Sequence, residues 1–190
     1  MRYSKTHKEE TRRKLVASSR ALAKQGGFAA SSVDELMAAI GLSGGAFYGH
    51  FPSKQALFAA LIGEEIENSA ALLACDPGAP PGHLAASLRK YLSAGHVAHP
   101  ETGCVLPALG AEIARAAPEV REAVEEGLRR VEQSWGERLA DPQAAWALIA
   151  QCIGTVVLAR AVESAAARDE ILASSRRLLA NAPALASRPD

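Results

Sequence analysis

Ser31–Phe58 reads SSVDELMAAIGLSGGAFYGHFPSKQALF. Two helical patterns flank a break at Gly41, Leu42 and Ser43, and glycines, aromatics and a lysine crowd in behind it. Ser32 with Glu35 three residues later makes a capping box at a helix start. Val33, Leu36, Met37 and Ile40 then fall on one face of a short helix. Gly41 allows the chain to leave that helix through positive φ. Leu42 is expected to plug the turn, facing inward. Ser43 is expected to cap a third helix carrying Ala46, Phe47, His50 and Phe51. The "PSK" segment breaks the chain again, and Lys54 opens a longer apolar helix. Two short helices joined by a tight, glycine-bearing turn form a helix-turn-helix. The second of them can lie in the major groove of DNA.

Working outward, Leu15, Ser19 and Leu22 recur at helical spacing between basic residues, and "QGGF" stops that first helix with a glycine C-cap. Three helices therefore fit within residues 1–51. The net charge of the 190-residue chain is zero, but residues 1–60 hold nine basic and four acidic side chains. That segment is +5 and the remainder −5. A polarised chain suggests an N-terminal part that meets a polyanion; a solvated helix face gives the same count.

Past the "DPGAPPG" loop (Asp76 to Gly82), helical patterns run from His83 to His99, Thr102 to Arg115, Pro118 to Leu139, Pro142 to Val162 and Arg168 to Asn181. Pro118 and Pro142 suit first-turn positions. Apolar residues make up 48% and aromatics 5%, with abundant alanine and no alternating β-branched run, so the chain reads as all-α. Cys75, Cys104 and Cys152 are too scattered for a disulfide framework. No signal-peptide pattern stands at the N-terminus. The longest apolar run, Ala144 to Ala159, is short for a membrane span and reads as a buried helix of a cytoplasmic protein.

The spacing of the capped helix, the Gly-x-Ser turn, the aromatic-Tyr-x-His-Phe order and the closing Ser-Lys resembles the DNA-binding domain of the TetR family of bacterial transcriptional regulators. The likeness covers residues 6–60. It implies an all-α homodimer, with a helix-turn-helix DNA-binding domain at 1–53, a helical ligand-binding and dimerisation domain at 54–182, and a disordered tail at 183–190. It also implies a repressor released from a near-palindromic double-stranded operator by a small-molecule, redox or electrophile effector. By position, Ser32, Tyr48 and Lys54 would bind phosphates, contacts that fix register without reading sequence. Phe47 and Phe51 would be core props. His50 stays open between backbone contact and packing support.

The sequence departs from the family pattern at Gly44, Ala46 and Gly49. Each glycine costs roughly 1 kcal/mol against alanine within a helix. Gly44, Gly45 and Gly49 also remove potential base readers, leaving Ser43, the Ala46 methyl, Tyr48 and His50. Glycine here is expected to permit close approach of the backbone to DNA, with part of the specificity from DNA shape. Arg2 and Lys5 form a candidate arm on the duplex, or a disordered start.

In the C-terminal part, the apolar Pro142–Val162 segment with Ile171, Leu172, Ser175, Leu178 and Leu179 can form a four-helix seam with a second subunit, or complete a monomer core. Candidate effector-lining residues run from Ile66 to Trp146 and include Leu92, Leu106, Leu109, Val131 and Trp135. Cys104 follows Gly103 near an expected helix start; it is a candidate sensor thiol or a small buried hydrophobe. Cys75 borders the loop and is expected to be exposed, and Cys152 to be packed. His83, His96 and His99 invite a metal reading, but no second ligand pair stands at a recognisable spacing. No metal or cofactor is expected. No glycine-rich phosphate loop, nucleophile elbow or metal-ligand pair appears, so the enzyme alternative has no motif behind it.

Overall fold

The computed structural model describes residues 5–75, 78–80 and 82–180. The expected tail at 183–190 and Arg2 lie outside them. Every regular element among the described residues is helical: α1 (Lys5–Gly26), α2 (Val33–Ala38), a 3-10 helix (Gly44–Gly49), α3 (Lys54–Leu73), α4 (His83–Tyr91), α5 (Ala94–Ala98), a 3-10 turn (Pro100–Thr102), α6 (Leu106–Ile113), α7 (Pro118–Leu139), α8 (Pro142–Ala161) and α9 (Ala165–Ala180). The chain forms two compact units. One runs to Ile66 and takes in Pro100–Val124; the other comprises Glu67–His99 and the chain from Glu125 on.

In the first unit, α1 ends where Gly27 takes φ +84° and its N–H returns to Ala23 O at 2.8 Å, a left-handed stop that glycine adopts without strain. α2 opens on the expected capping box. Ser32 Oγ accepts from Glu35 N, and Glu35 accepts from Ser32 N at 2.7 Å. Leu15, Leu36, Met37, Phe47, Leu57, Leu61 and Ile62 are completely buried, and Phe51 is nearly so. They make this unit's core.

Two expectations fail here. Leu42 is 39% exposed rather than inward. Gly41 takes φ +74° and the Leu42 N–H bonds back to Met37 O at 3.0 Å; this left-handed cap turns the following side chain outward. The third helix is a 3-10 helix, not an α-helix, and Ser43 gives it no side-chain cap. Its bonds span three residues, as in Ala46 N to Ser43 O at 3.0 Å and His50 N to Phe47 O at 2.8 Å. Glycine is a poor helix former, and with three in six positions the segment is held by its two buried phenylalanines rather than by propensity.

In the second unit the expected His83–His99 helix is two helices. Leu92 leaves helical geometry at ψ 40°, and Ser93 restarts the chain as N-cap of α5, its Oγ accepting from His96 N at 3.2 Å. Arg176 of α9 donates to the freed Leu92 carbonyl at 2.7 Å. In the first unit the expected Thr102–Arg115 helix shortens to Leu106–Ile113, preceded by the 3-10 turn. Pro118 and Pro142 sit in first turns as expected, and Asp141 caps α8 through Gln143 N and Ala144 N. Trp135 is 1% exposed, and its Nε1–H reaches Leu73 O at 2.8 Å. α8 packs on α9, where Thr155 and Ser175 hydroxyls meet at 2.9 Å. Cys75, expected at the surface, is buried. Its N–H donates to Ser134 Oγ at 2.8 Å, and burial pushes its thiol pKa up.

Candidate nucleic-acid interface

The 3-10 helix divides its aromatics between two sides. Phe47 is fully buried, while Tyr48, the next residue, is 69% exposed. Their rings meet edge-on at 5.3 Å, and Phe47 stacks on Phe51 at 6.1 Å. Arg12 of α1 lies 4.2 Å from the Phe51 ring centroid, a cation–π contact that braces the recognition element from α1. Lys8, Arg12, Arg13 and Lys14 of α1 are exposed, with Lys14 paired to Glu10 at 2.9 Å.

Ser43, Gly45 and Gly49 are exposed, and Gly44 and Ala46 half-buried. A Cβ at Gly45 or Gly49 would meet open space. A Cβ at Gly44 would fall 1.8 Å from Asp34 Oδ1. At Gly44 the exposed Asp34 side chain of α2 stands where a Cβ would go and would have to turn aside to admit one. His50 is half-buried against α1. Burial, then the charge of Lys8, lower its pKa, and a hydrogen bond to the Lys8 main chain works the other way; its Nδ1 is buried without a hydrogen bond. Ser32 is exposed, but its N–H is already held by Glu35. The hydrogen bonds from Ser32 also lower the Glu35 pKa.

Lys54 stands at the start of α3, half-buried. Its Nζ donates to Ala29 O at 3.0 Å and lies 4.9 Å from the Phe28 ring centroid. The segment it touches is clamped from the other side by Glu112 of α6, which accepts from Phe28 N and Ala29 N, each at 2.9 Å. Below it, Lys24 of α1 is buried in an ion pair with Glu65 and donates to Gly103 O at 2.7 Å; Arg20 reaches Glu65 at 2.6 Å. No sequence pattern singles out Arg12, Asp34, Glu112, Lys24 or Glu65 for these roles. Glu112 lies 84 positions from Phe28, and no local pattern announces such a partner.

The candidate effector residues divide between the units. Cys104, Leu106 and Leu109 are buried in the first; Leu92, Val131 and Trp135 are buried in the second, and Trp146 is 38% exposed on α8. None of them lines the cavity of about 520 Å³ in the first unit. His96 Nδ1 lies 2.6 Å from Tyr91 O, with its ring edge-on to Tyr91. Among the described residues no three potential metal ligands come together.

A short capped helix, a left-handed glycine turn and a propped second helix with an outward tyrosine define a helix-turn-helix DNA-binding protein. Residues 15–61 match the family described as bacterial regulatory proteins, tetR family, and this domain is of that family. Solved structures agree over nearly the whole length. A TetR transcriptional regulator from Chloroflexus aurantiacus is 23% identical, with TM-score 0.73 over 93% of this chain and 97% of that one. Reduced NemR of E. coli is 24% identical, with TM-score 0.70 over 88% and 96%. A TetR-family transcriptional regulator from Pectobacterium atrosepticum is 26% identical, with TM-score 0.60 over 94% of each. No curated protein matches the sequence. The chain carries the DNA-binding domain of a transcriptional regulator.

Proposed function

We propose that the protein is a dimeric repressor that binds a near-palindromic operator and leaves it when an effector binds. One observation carries the reading: Tyr48 stands out from a short helix whose flanking aromatics, Phe47 and Phe51, are buried. A tyrosine held out on a propped surface element offers a rigid ring and a hydroxyl to a partner. In this reading Ser32, Tyr48 and Lys54 meet phosphates, while Ser43, Gly44, Gly45, Ala46 and Gly49 present backbone and the Ala46 methyl to base edges. His50 supports the element from behind. Gly45 and Gly49, open on their outer side, keep the close-approach role; at Gly44 the Asp34 side chain stands where a Cβ would go.

The second subunit would cover α8 and α9. α8 is long and apolar enough, by length and composition, to cross a membrane, with a mean hydropathy of 1.6. Its apolar residues divide instead between an inner row, including Leu148, Cys152 and Val156, and an outer group of Trp146, Val157 and Leu158. Leu178 of α9 is 64% exposed. A two-fold partner that buries these side chains would set the recognition helices about 34–36 Å apart. Domain limits of 1–53 for DNA binding and 54–182 for effector binding and dimerisation, and a cytoplasmic location, belong to the same reading. The effector is a small molecule. A thiol-reactive or redox effector acting at Cys104 is a second form of the reading, supported by the fold neighbour described as reduced NemR.

The test is fluorescence anisotropy with duplex DNA flanking the protein's own gene, across a salt series. Specific binding with a log–log salt slope that falls by about one unit in Lys54→Met supports the reading. Equal, weak binding to all duplexes, unchanged by Tyr48→Ala, overturns it.

A further inference from the structure

The first unit carries a cleft that shares only Lys54 with the DNA reading. It encloses about 520 Å³ between the segment after α1, the first turns of α3 and the α6–α7 corner. Phe28 and Phe58, with ring centroids 4.9 Å apart, and Val120 give it an apolar wall. Four charged residues border it. Glu112 has each carboxylate oxygen engaged by a backbone N–H of the Phe28–Ala29 segment. Glu119 is exposed and solvated. Lys54 uses one of its N–H groups on Ala29 O and holds its ammonium beside the Phe28 ring. Arg115 is exposed, and no ion pair or hydrogen bond holds its guanidinium among the described residues. Over the aromatic wall, donor capacity on two cations, Lys54 and Arg115, is therefore open to a ligand, and the exposed Glu119 is the one lining carboxylate not already bonded. Its volume falls within the usual range for small-molecule sites, roughly 300–1,000 Å³.

We propose that this cleft binds a small aromatic carboxylate, its ring against Phe28 and Phe58 and its carboxylate on Lys54 and Arg115. A neutral ring would leave both cations unanswered, and an aliphatic acid would forgo the aromatic wall. The inference deepens the regulator reading and rests on it in one respect: Lys54 is there a phosphate contact. A ligand carboxylate claims the same ammonium, so the free and DNA-bound proteins differ in affinity for the ligand, which is what an effector requires. The site lies within the first unit and takes residues from both sides of the limit at residue 53.

The experiment titrates 1-naphthoate into the full chain by isothermal calorimetry, with 1-naphthalenemethanol as the neutral control. Saturable binding of naphthoate is expected, at least about tenfold tighter than the alcohol. A similar loss is expected in Arg115→Gln, an exposed site, and in Ala59→Trp, which fills the cleft. Thermal unfolding checks that both variants fold. Absence of saturable binding, or equal affinity in both folded variants, overturns the site. The DNA arm repeats the anisotropy assay with 1-naphthoate present. Weakened operator binding by the wild type, with Ala59→Trp bound to DNA but unresponsive, supports the effector role. Ligand binding that leaves operator affinity unchanged overturns that role. Failure to bind any operator strikes the regulator reading instead, while the calorimetry still decides the cleft.

Discussion

In the first unit, Arg20 and Lys24 of α1 converge on the buried Glu65 of α3, and Glu112 of α6 grips the backbone at Phe28 and Ala29. In the second unit, carbonyls at helix ends are taken by the side-chain N–H groups of two arginines and a tryptophan. Arg176 bonds Leu92 O at 2.7 Å, Arg160 bonds His96 O at 2.8 Å, and Trp135 bonds Leu73 O at 2.8 Å. The first unit is thus pinned at α1 by an ion pair whose partners, Lys24 and Glu65, are buried together, the second at its helix ends by side-chain bonds to carbonyls. Loss of one partner of a buried ion pair leaves a charge without solvent or counter-ion, whereas loss of one carbonyl bond costs a single hydrogen bond. The difference places the sensitive points of the molecule next to α1 and the recognition element.

The largest expected effect breaks the charged cluster. Glu65→Ala strands the buried Lys24, while Arg20 keeps Glu64, and should destabilise the fold by about 3–5 kcal/mol, read as a fall in Tm at about 2–4 °C per kcal/mol. A loss below about 1 kcal/mol would erase the contrast between the units. In the second unit, Trp135→Phe keeps an aromatic ring but removes the bond to Leu73 O, with an expected cost of about 1–2 kcal/mol by urea denaturation. Cys75, nearby, should resist alkylation by iodoacetamide at pH 8 until unfolding, because burial raises its pKa and closes access.

A smaller effect sharpens the role of Glu112. Glu112→Gln keeps one oxygen acceptor and loses the charge, so about 1 kcal/mol of local stability should go. Amide hydrogen exchange at Phe28 and Ala29 should quicken while that at Leu172 and Leu179 stays as it was; uniform quickening would show that the clamp is not local. The smallest effect is a pH slope. Burial and Lys8 hold the His50 pKa below its ordinary value, which is about 6.5. The unfolded chain therefore binds the proton first as pH falls. The stabilising contribution is complete above the unfolded pKa and is lost as pH drops toward the folded one. Tm should decline between pH 7.5 and pH 5, and His50→Gln should decline less. Parallel curves would remove His50 from the account.

Ser32 and Glu35 are neighbours along the chain, so their capping box is legible from residue order. So are the glycine stops at Gly27 and Gly41, the first-turn prolines of α7 and α8, and the aromatic order that marks the family. Each rests on contacts within a few residues. The inward reading of Leu42 fails because the hand of the glycine cap decides where the next side chain goes. An α-helical reading of Gly44–Gly49 fails because the geometry there follows from where Phe47 and Phe51 are buried. A single helix through Leu92 fails because Arg176, distant in sequence, stabilises the carbonyl that the break exposes.

The amino-acid order alone determined an all-helical chain, a helix-turn-helix at its basic end, and the family to which it belongs, because capping, periodicity and turn chemistry are local and leave local signatures. Tertiary structure alone decided that Lys54 shares a cleft with Arg115, that Glu112 holds the turn before α2, and that Lys24 and Glu65 meet out of water. Those pairings join residues tens of positions apart, and only the packing of helices against one another brings their charges within reach.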